Sequence, residues 1–98
     1  MERESDILRA VSEYLTLKKY FWFRNNTGAL PTASGGFMRF GSVGSPDICV
    51  LHKGVFYALE CKRKGGIQSP AQQEWEKRCK EQGGDYRIIH GLDDMKSF

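Results

Sequence analysis

The sequence predicts a single α/β domain, spanning residues 1–98, in which helices flank a mixed β-sheet. The chain has 98 residues, of which 40% are hydrophobic and 28% charged, so it can build one core but not two. Two apolar runs joined by a tight turn predict an antiparallel hairpin, and a helix and a further strand follow them. A strand–helix–strand connection is a right-handed crossover that makes its two strands parallel, so the sheet is mixed.

The first element is an amphipathic helix from Ser5 to Lys18. One helical stripe is formed by apolar residues at i, i+3, i+4, i+7 and i+8: Ile7, Ala10, Val11, Tyr14 and Leu15. The cations Lys18 and Lys19 suit the negative end of the helix dipole. The aromatic run Tyr20–Phe23 then predicts a strand.

Residues 25–45 contain five glycines and few periodic apolar positions. This pattern is typical of a long loop, or of a loosely paired hairpin around Phe37–Phe40. A loop of this length within a compact domain is usually functional or mobile.

The central hairpin pairs residues 48–51 with residues 55–62 through a turn at His52-Lys53-Gly54. A second helix begins after Ser69, with Pro70 as its first residue and Gln72 in capping-box spacing, and runs to about Gln82. Glycines end this helix, residues 86–90 form a buried strand, and residues 92–98 form a terminal helical turn. The predicted order is α-β-β-β-α-β.

Composition excludes several classes of protein. The apolar runs are too short to span a bilayer and the first residues are charged, so we expect no membrane segment and no secretion signal. Three cysteines without C-x-x-C spacing indicate neither a disulfide framework nor a zinc knuckle, which favours a reducing, cytoplasmic compartment. Two histidines are too few for the common His-ligated zinc sites.

Four positions of the central hairpin suggest chemistry. Asp47 begins the first strand and Glu60 ends the second, so the two carboxylates can meet across one strand pair. Lys62 shares the face of Glu60, whereas Cys61 points away and leaves its backbone carbonyl near that face. Carboxylate and carbonyl oxygens are ligands that Mg²⁺ or Mn²⁺ prefers, and a lysine can stabilise charge on a reacting phosphate. Phosphodiester hydrolysis suits these groups. The alternative is an ordinary ion pair, because Glu-x-Lys is common on solvated strands.

The sequence resembles the VRR-NUC family of the PD-(D/E)xK nuclease superfamily, in particular its short stand-alone members from phages and bacteria. The resemblance rests on Pro46-Asp47, on Glu60-Cys61-Lys62 with its basic continuation, on Ser69-Pro70-Ala71-Gln72, and on the helix exit Gly83-Gly84-x-Tyr86. It implies a restriction-endonuclease-like core and dependence on Mg²⁺ or Mn²⁺. The implied metal ligands are Asp47, Glu60 and the carbonyl of Cys61. The other implied active-site residues are the catalytic Lys62, the accessory Gln72 and the first-helix acid Glu4.

Two of these residues have alternative explanations. Gln72 at the third position of a helix capped by Ser69 is fully accounted for by a capping box. Glu4 precedes the predicted helix start, where the helix dipole favours an acid, and the family's first-helix acid can also align with Glu13. On helical spacing, Glu13 faces away from the apolar stripe and toward solvent.

Basic residues around the site are candidates for binding the phosphate backbone of DNA: Arg24, Arg39, Arg63 and Lys64. Adjacent cations are more often simply solvated, and the net charge of +3 is only mildly basic. Phe37 and Phe40 are expected in the core, with a contact at a DNA branch point as the alternative.

The resemblance implies a structure-specific DNA endonuclease acting as a homodimer on branched DNA such as Holliday junctions. We expect the dimer interface at Tyr20–Phe23 or at residues 95–98, although either segment can belong to the core. The alternatives are a nickase or flap endonuclease, a non-catalytic DNA-binding module, and a small domain without a nucleic-acid role.

Overall fold

The computed structural model describes residues 2–26 and 28–98, apart from the side chains of Arg39 and Phe40. The helices are α1 (Glu4–Leu17), α2 (Pro70–Glu81) and a C-terminal 3₁₀ helix (Leu92–Ser97). The strands are β1 (Phe21–Arg24), β2 (Gly28–Pro31), β3 (Phe37–Phe40), β4 (Ile48–His52), β5 (Val55–Cys61) and β6 (Asp85–Ile89). The predicted elements are present, with ends that differ by one or two residues.

The main sheet is mixed and has the strand order β1-β4-β5-β6. Strands β1, β4 and β5 are antiparallel neighbours, whereas β6 runs parallel to β5 after the crossover through α2. The predicted α/β class with a mixed sheet is confirmed. Strands β2 and β3, which lie between β1 and β4 along the chain, form a separate two-stranded sheet. The glycine-rich segment therefore contains a hairpin, which we call the β2–β3 hairpin.

Helix α1 covers one face of the main sheet and forms the core with it. Buried side chains on this side include Ile7, Val11 and Leu15 from the helix, and Leu59 and Cys61 from β5. Because side chains alternate along a strand, Glu60 lies on the opposite face, which is the face that carries α2. The predicted separation of Glu60 from Cys61 is therefore confirmed.

Helix α2 begins with the predicted cap. Ser69 Oγ accepts a hydrogen bond from the Gln72 backbone N–H at 3.2 Å, and the Gln72 side chain accepts one from the Ser69 N–H at 2.9 Å. Further along the helix, Trp75 packs against Tyr86 of β6 with ring centroids 6.1 Å apart. These contacts define the start of α2 and hold the helix against β6.

One expectation about apolar side chains is wrong, and one open alternative is decided. Phe37 is 74% exposed and does not belong to the core, because the β2–β3 hairpin does not join the main sheet. Met95 is completely buried against α1 and β6, and Phe98 packs on Tyr20 and Tyr57, so the apolar residues of the 95–98 segment belong to the core, which is the alternative that the sequence left open. The side chain of Phe40 lies outside the described part of the chain.

In the described residues no helix combines the length and the apolar character that a bilayer span needs.

Candidate active site

The register of the central hairpin brings Asp47 to Glu60. Ile48 pairs with Leu59, so the residue before Ile48 and the residue after Leu59 face each other at the end of the strand pair. Asp47 Oδ2 accepts a hydrogen bond from the backbone N–H of Cys61 at 2.8 Å, which fixes this carboxylate against the last residue of β5. The prediction that the two carboxylates meet across the strand pair is therefore consistent with the observed register.

Glu60 is a buried carboxyl group in an acidic environment. Its side chain is only 2% exposed. Burial raises its pKa from 4.5 to about 8, and the charge of Asp47, a hydrogen bond with Asp47 and the more distant charge of Glu4 add to this rise. The charge of Lys62 acts in the opposite direction but does not offset these effects. Without a bound cation, Glu60 therefore holds a proton at neutral pH.

Lys62 is half-buried and lies close enough to Glu60 for its charge to be felt there. Its backbone is fixed on both sides of the residue. The Lys62 N–H donates to the carbonyl of Ile89 at 3.0 Å, and the Lys62 carbonyl lies 3.1 Å from His90 Nδ1. These bonds extend the β5–β6 ladder past Cys61, so Lys62 remains on the face of Glu60 as predicted.

Gln72 serves the helix cap and the carboxyl pair at the same time. Its Oε1 accepts from the Ser69 N–H, and its Nε2 donates to Glu60 Oε2 at 3.3 Å. The two explanations that the sequence left open are therefore compatible.

Glu4 is the first residue of α1 and is exposed. Its charge contributes to the raised pKa of Glu60, which places it near the site. It is not one of three convergent metal ligands, because no cluster of three or more His, Cys, Asp or Glu side chains suited to a metal occurs among the described residues. Glu13, the alternative acid, is also exposed, on the third turn of α1, and is not among the charges that shift the pKa of Glu60.

Sequence reasoning missed the contacts that hold the segment before Asp47. The Asn25 N–H donates to the Asp47 carbonyl at 2.8 Å. The Asn25 side-chain amide donates to Ser45 Oγ at 2.7 Å and to the Pro46 carbonyl at 2.9 Å. The only available signal was an asparagine two residues after a predicted strand, a position that is usually assigned to a loop.

Gly44 packs against the start of α2 and was also missed. It has φ +80°, and a Cβ added there would overlap the carbonyl of Ala71. The 41–46 segment therefore passes directly over the first turn of α2, beside Gln72. This packing and the Asn25 contacts together position Asp47 from two sides.

The predicted DNA-binding cations have different surroundings. Arg24 ends β1 and is exposed, and so is Arg63 in the loop after β5. Lys64 is exposed too, but it lines a groove together with the acids Glu2, Asp93 and Asp94. Arg39 lies in β3, and its side chain is outside the described part of the structure.

The donor set suits a hard divalent cation. Asp47 and Glu60 supply carboxylate oxygens side by side, and the pKa of Glu60 is raised first by burial and then by repulsion from Asp47, which the charge of Lys62 does not offset. A cation of charge +2 would relieve this repulsion and release the proton of Glu60. Two side chains and a backbone carbonyl also match the small number of protein ligands that Mg²⁺ accepts, because this ion keeps several waters.

Comparisons of the chain with protein-family models, with curated proteins and with solved structures found no match.

Proposed function

We propose that this protein is a metal-dependent, structure-specific DNA endonuclease of the VRR-NUC type, with a restriction-endonuclease-like core. One observation carries the proposal: Asp47 and a buried Glu60 share one sheet face with Lys62, and the amide of Gln72 bonds to Glu60. Paired carboxylates next to a lysine suit phosphodiester hydrolysis, because they combine a cation site with a positive charge for the reacting phosphate.

Each residue has a defined part in the proposed reaction. Asp47, Glu60 and the carbonyl of Cys61 would hold Mg²⁺ or Mn²⁺, which supplies Lewis-acid stabilisation of the phosphate when bound. Lys62 stabilises the negative charge that builds on the phosphate, or orients the attacking water. Gln72 holds Glu60 in place, and Glu4 adds negative charge at the margin of the site.

Two considerations favour branched DNA as the substrate. Among the described residues no element is dedicated to reading base edges, such as a helix-turn-helix or a zinc finger, so we expect the domain to depend on the shape of the DNA. Exposed cations on either side of the site, Arg24 and Arg63, suit the phosphate backbone.

The partner that fits this function is a second copy of the chain. Each chain carries one candidate site, whereas resolving a four-way junction needs two symmetric cuts, which a two-fold dimer provides. Strand β1 is an edge strand, and Phe21, Leu51 and Phe56 lie in one row across β1, β4 and β5. All three are exposed, with Phe21 at 71%. Of the predicted Tyr20–Phe23 segment, Phe21 and Phe23 are exposed, whereas Tyr20 and Trp22 pack against the core.

Cleavage assays test the function directly. The protein is incubated with labelled linear, nicked, flapped and four-way DNA, with Mg²⁺, Mn²⁺ or EDTA. We expect cutting of branched DNA that EDTA abolishes. Light scattering at micromolar concentration measures the oligomeric state in parallel. A monomer that cuts flaps, or only one strand, would favour the nickase or flap alternative. Salt-dependent binding without cutting would favour the non-catalytic module.

Matched variants distinguish the site from a contaminating nuclease. Glu60→Gln and Lys62→Met remove side chains that the proposed chemistry needs. Glu13→Gln, the control, removes an exposed carboxylate of α1 that lies outside the proposed site. We expect the first two variants to lose cleavage and the third to keep it. Mg²⁺ or Mn²⁺ should raise the melting temperature of the wild type but not that of Glu60→Gln, because a ligand stabilises only a fold that binds it.

A further inference from the structure

The β2–β3 hairpin is apolar on both of its faces. Leu30 pairs with Met38 and Pro31 pairs with Phe37, and adjacent cross-strand pairs point to opposite sides of a hairpin. Phe37 is 74% exposed, and Leu30 and Met38 are more than half exposed. None of these residues belongs to the core cluster. A projecting hairpin with apolar side chains on both sides is suited to enter a gap between two surfaces.

The hairpin is closed by its own hydrogen bonds. At its turn, the Thr32 N–H donates to the Gly36 carbonyl at 2.9 Å, and the Gly36 N–H donates to Thr32 Oγ1 at 3.2 Å. Gly35 adopts φ +91°, a left-handed conformation that glycine accepts without strain. The apolar side chains are therefore presented on a formed turn.

The base of the hairpin is joined to the candidate active site. Asn25, which precedes the hairpin, bonds to the Asp47 backbone and to Ser45 and Pro46, which follow it. Both ends of the hairpin segment therefore meet beside Asp47. A body bound by the hairpin therefore lies near the carboxylate pair.

The charges around the hairpin suit a polyanion. Residues 20–46, which contain the hairpin, have no Asp or Glu, and their two charged residues are both basic: Arg24 and Arg39. In duplex DNA the bases are stacked and covered, but at a branch point the terminal base pairs of the arms are open to apolar contact. Apolar side chains are known to insert between base steps, and aromatic side chains stack on exposed bases.

From these observations we infer that the β2–β3 hairpin inserts at the branch point of DNA, with Phe37 and Met38 packing on the base pairs of two different arms. The inference rests on the proposed function and adds a determinant of substrate choice to it. The hairpin recognises the branch, and its connection to Asp47 sets the distance from the branch to the cut.

Serine substitutions test the contact. The double variant Phe37→Ser/Met38→Ser is compared with Leu17→Ser, which alters an equally exposed apolar residue at the end of α1. Binding is measured in EDTA to linear DNA and to a four-way junction with 2-aminopurine at the branch. We expect the double variant to lose about tenfold of its preference for the junction, as one lost base stack predicts, together with the fluorescence change at the branch. Leu17→Ser should keep both.

Hairpin length provides a second measurement. Two residues added to each strand keep every side chain on its original face of the hairpin. They lengthen the hairpin by about 7 Å, which is about the length of two nucleotides along one DNA strand. We expect the cut to move by about two nucleotides relative to the branch. Melting curves verify that each variant is folded.

Three results would overturn the inference. A cut that stays in place, or a double variant with wild-type junction preference and fluorescence, would show that the hairpin does not contact the branch. A double variant that changes from dimer to monomer in light scattering would assign the hairpin to a second copy of the chain. In these cases the wild type still cuts branched DNA, whereas a wild type that binds no DNA would refute the proposed function itself.

Discussion

The side-chain amide of Gln72 donates to Glu60 Oε2 at 3.3 Å while its oxygen accepts from the Ser69 N–H at 2.9 Å. One residue thereby connects the N-terminus of α2 to the buried carboxyl of β5. The helix cap and the candidate active site share this side chain, so a substitution that removes it affects both stability and activity. A suitable pair of substitutions separates the two effects.

Gln72→Glu should keep the cap and damage the site, whereas Gln72→Ala should damage both. Glutamate at this position accepts from the Ser69 N–H in the same capping box, but it cannot donate to Glu60 when ionised and adds a negative charge there. We expect Gln72→Ala to lower the free energy of unfolding by about 1 kcal/mol and Gln72→Glu to lower it less. Both should reduce single-turnover cleavage. Wild-type cleavage by folded Gln72→Glu would limit Gln72 to capping.

The raised pKa of Glu60 predicts that the metal-free protein loses stability with rising pH. The folded state keeps the Glu60 proton up to about pH 8, whereas the unfolded chain releases it near pH 4.5. The stabilising contribution of the Glu60 proton is therefore complete at low pH and is lost as pH rises through this window, by at most about 1.4 kcal/mol per pH unit.

Denaturant unfolding in EDTA between pH 5 and pH 8.5 measures this effect, with Glu60→Gln as the matched neutral variant. The difference in stability between the two proteins should grow with pH in favour of the variant. The carboxyls of Asp6, Glu76 and Asp85, whose pKa values are lowered, titrate below this range. A difference that does not change with pH would show that Glu60 is ionised throughout.

The sequence predicted the sheet and the carboxylate pair because both depend on short-range patterns. Apolar runs, the turn at Lys53-Gly54 and the capping box at Ser69 are local signals, and alternation along β5 then separates Glu60 from Cys61. The class of fold and the grouping of Asp47, Glu60 and Lys62 follow from these signals, whereas Gln72 was expected at the site only from the resemblance to the nuclease family.

Tertiary contacts of single polar or glycine residues were not predictable. The Asn25 bonds to residues 45–47 link positions about twenty residues apart, and no sequence period encodes them. The prediction that Phe37 lies in the core was wrong for a related reason. An aromatic residue in a short apolar run favours the core, but whether a hairpin joins the main sheet depends on loop geometry that composition does not specify.

Arg63 and Lys64 should contribute unequally to DNA binding. Both are exposed, but Lys64 shares a groove with Glu2, Asp93 and Asp94, whose negative charges repel a phosphate. We expect Arg63→Ala to reduce the slope of log affinity against log salt by about 1, and Lys64→Ala to reduce it by less. Binding to four-way DNA at several salt concentrations measures both slopes. Equal losses would mean that the acids do not influence the bound phosphate.

Gly44→Ala should weaken both the fold and the active site, because the added Cβ overlaps the carbonyl of Ala71 and the residue has φ +80°. Gly54→Ala is the matched control, since Gly54 has the same φ at the other end of β4 but open space around its Cβ position. We expect the control to lose about 1 kcal/mol of stability from backbone strain alone, and Gly44→Ala to lose about 2–3 kcal/mol. In folded protein, Gly44→Ala should also reduce cleavage, because relief of the overlap moves the segment that leads into Pro46 and Asp47. Equal stability and equal single-turnover rates in the two variants would show that the contact with α2 does not position Asp47.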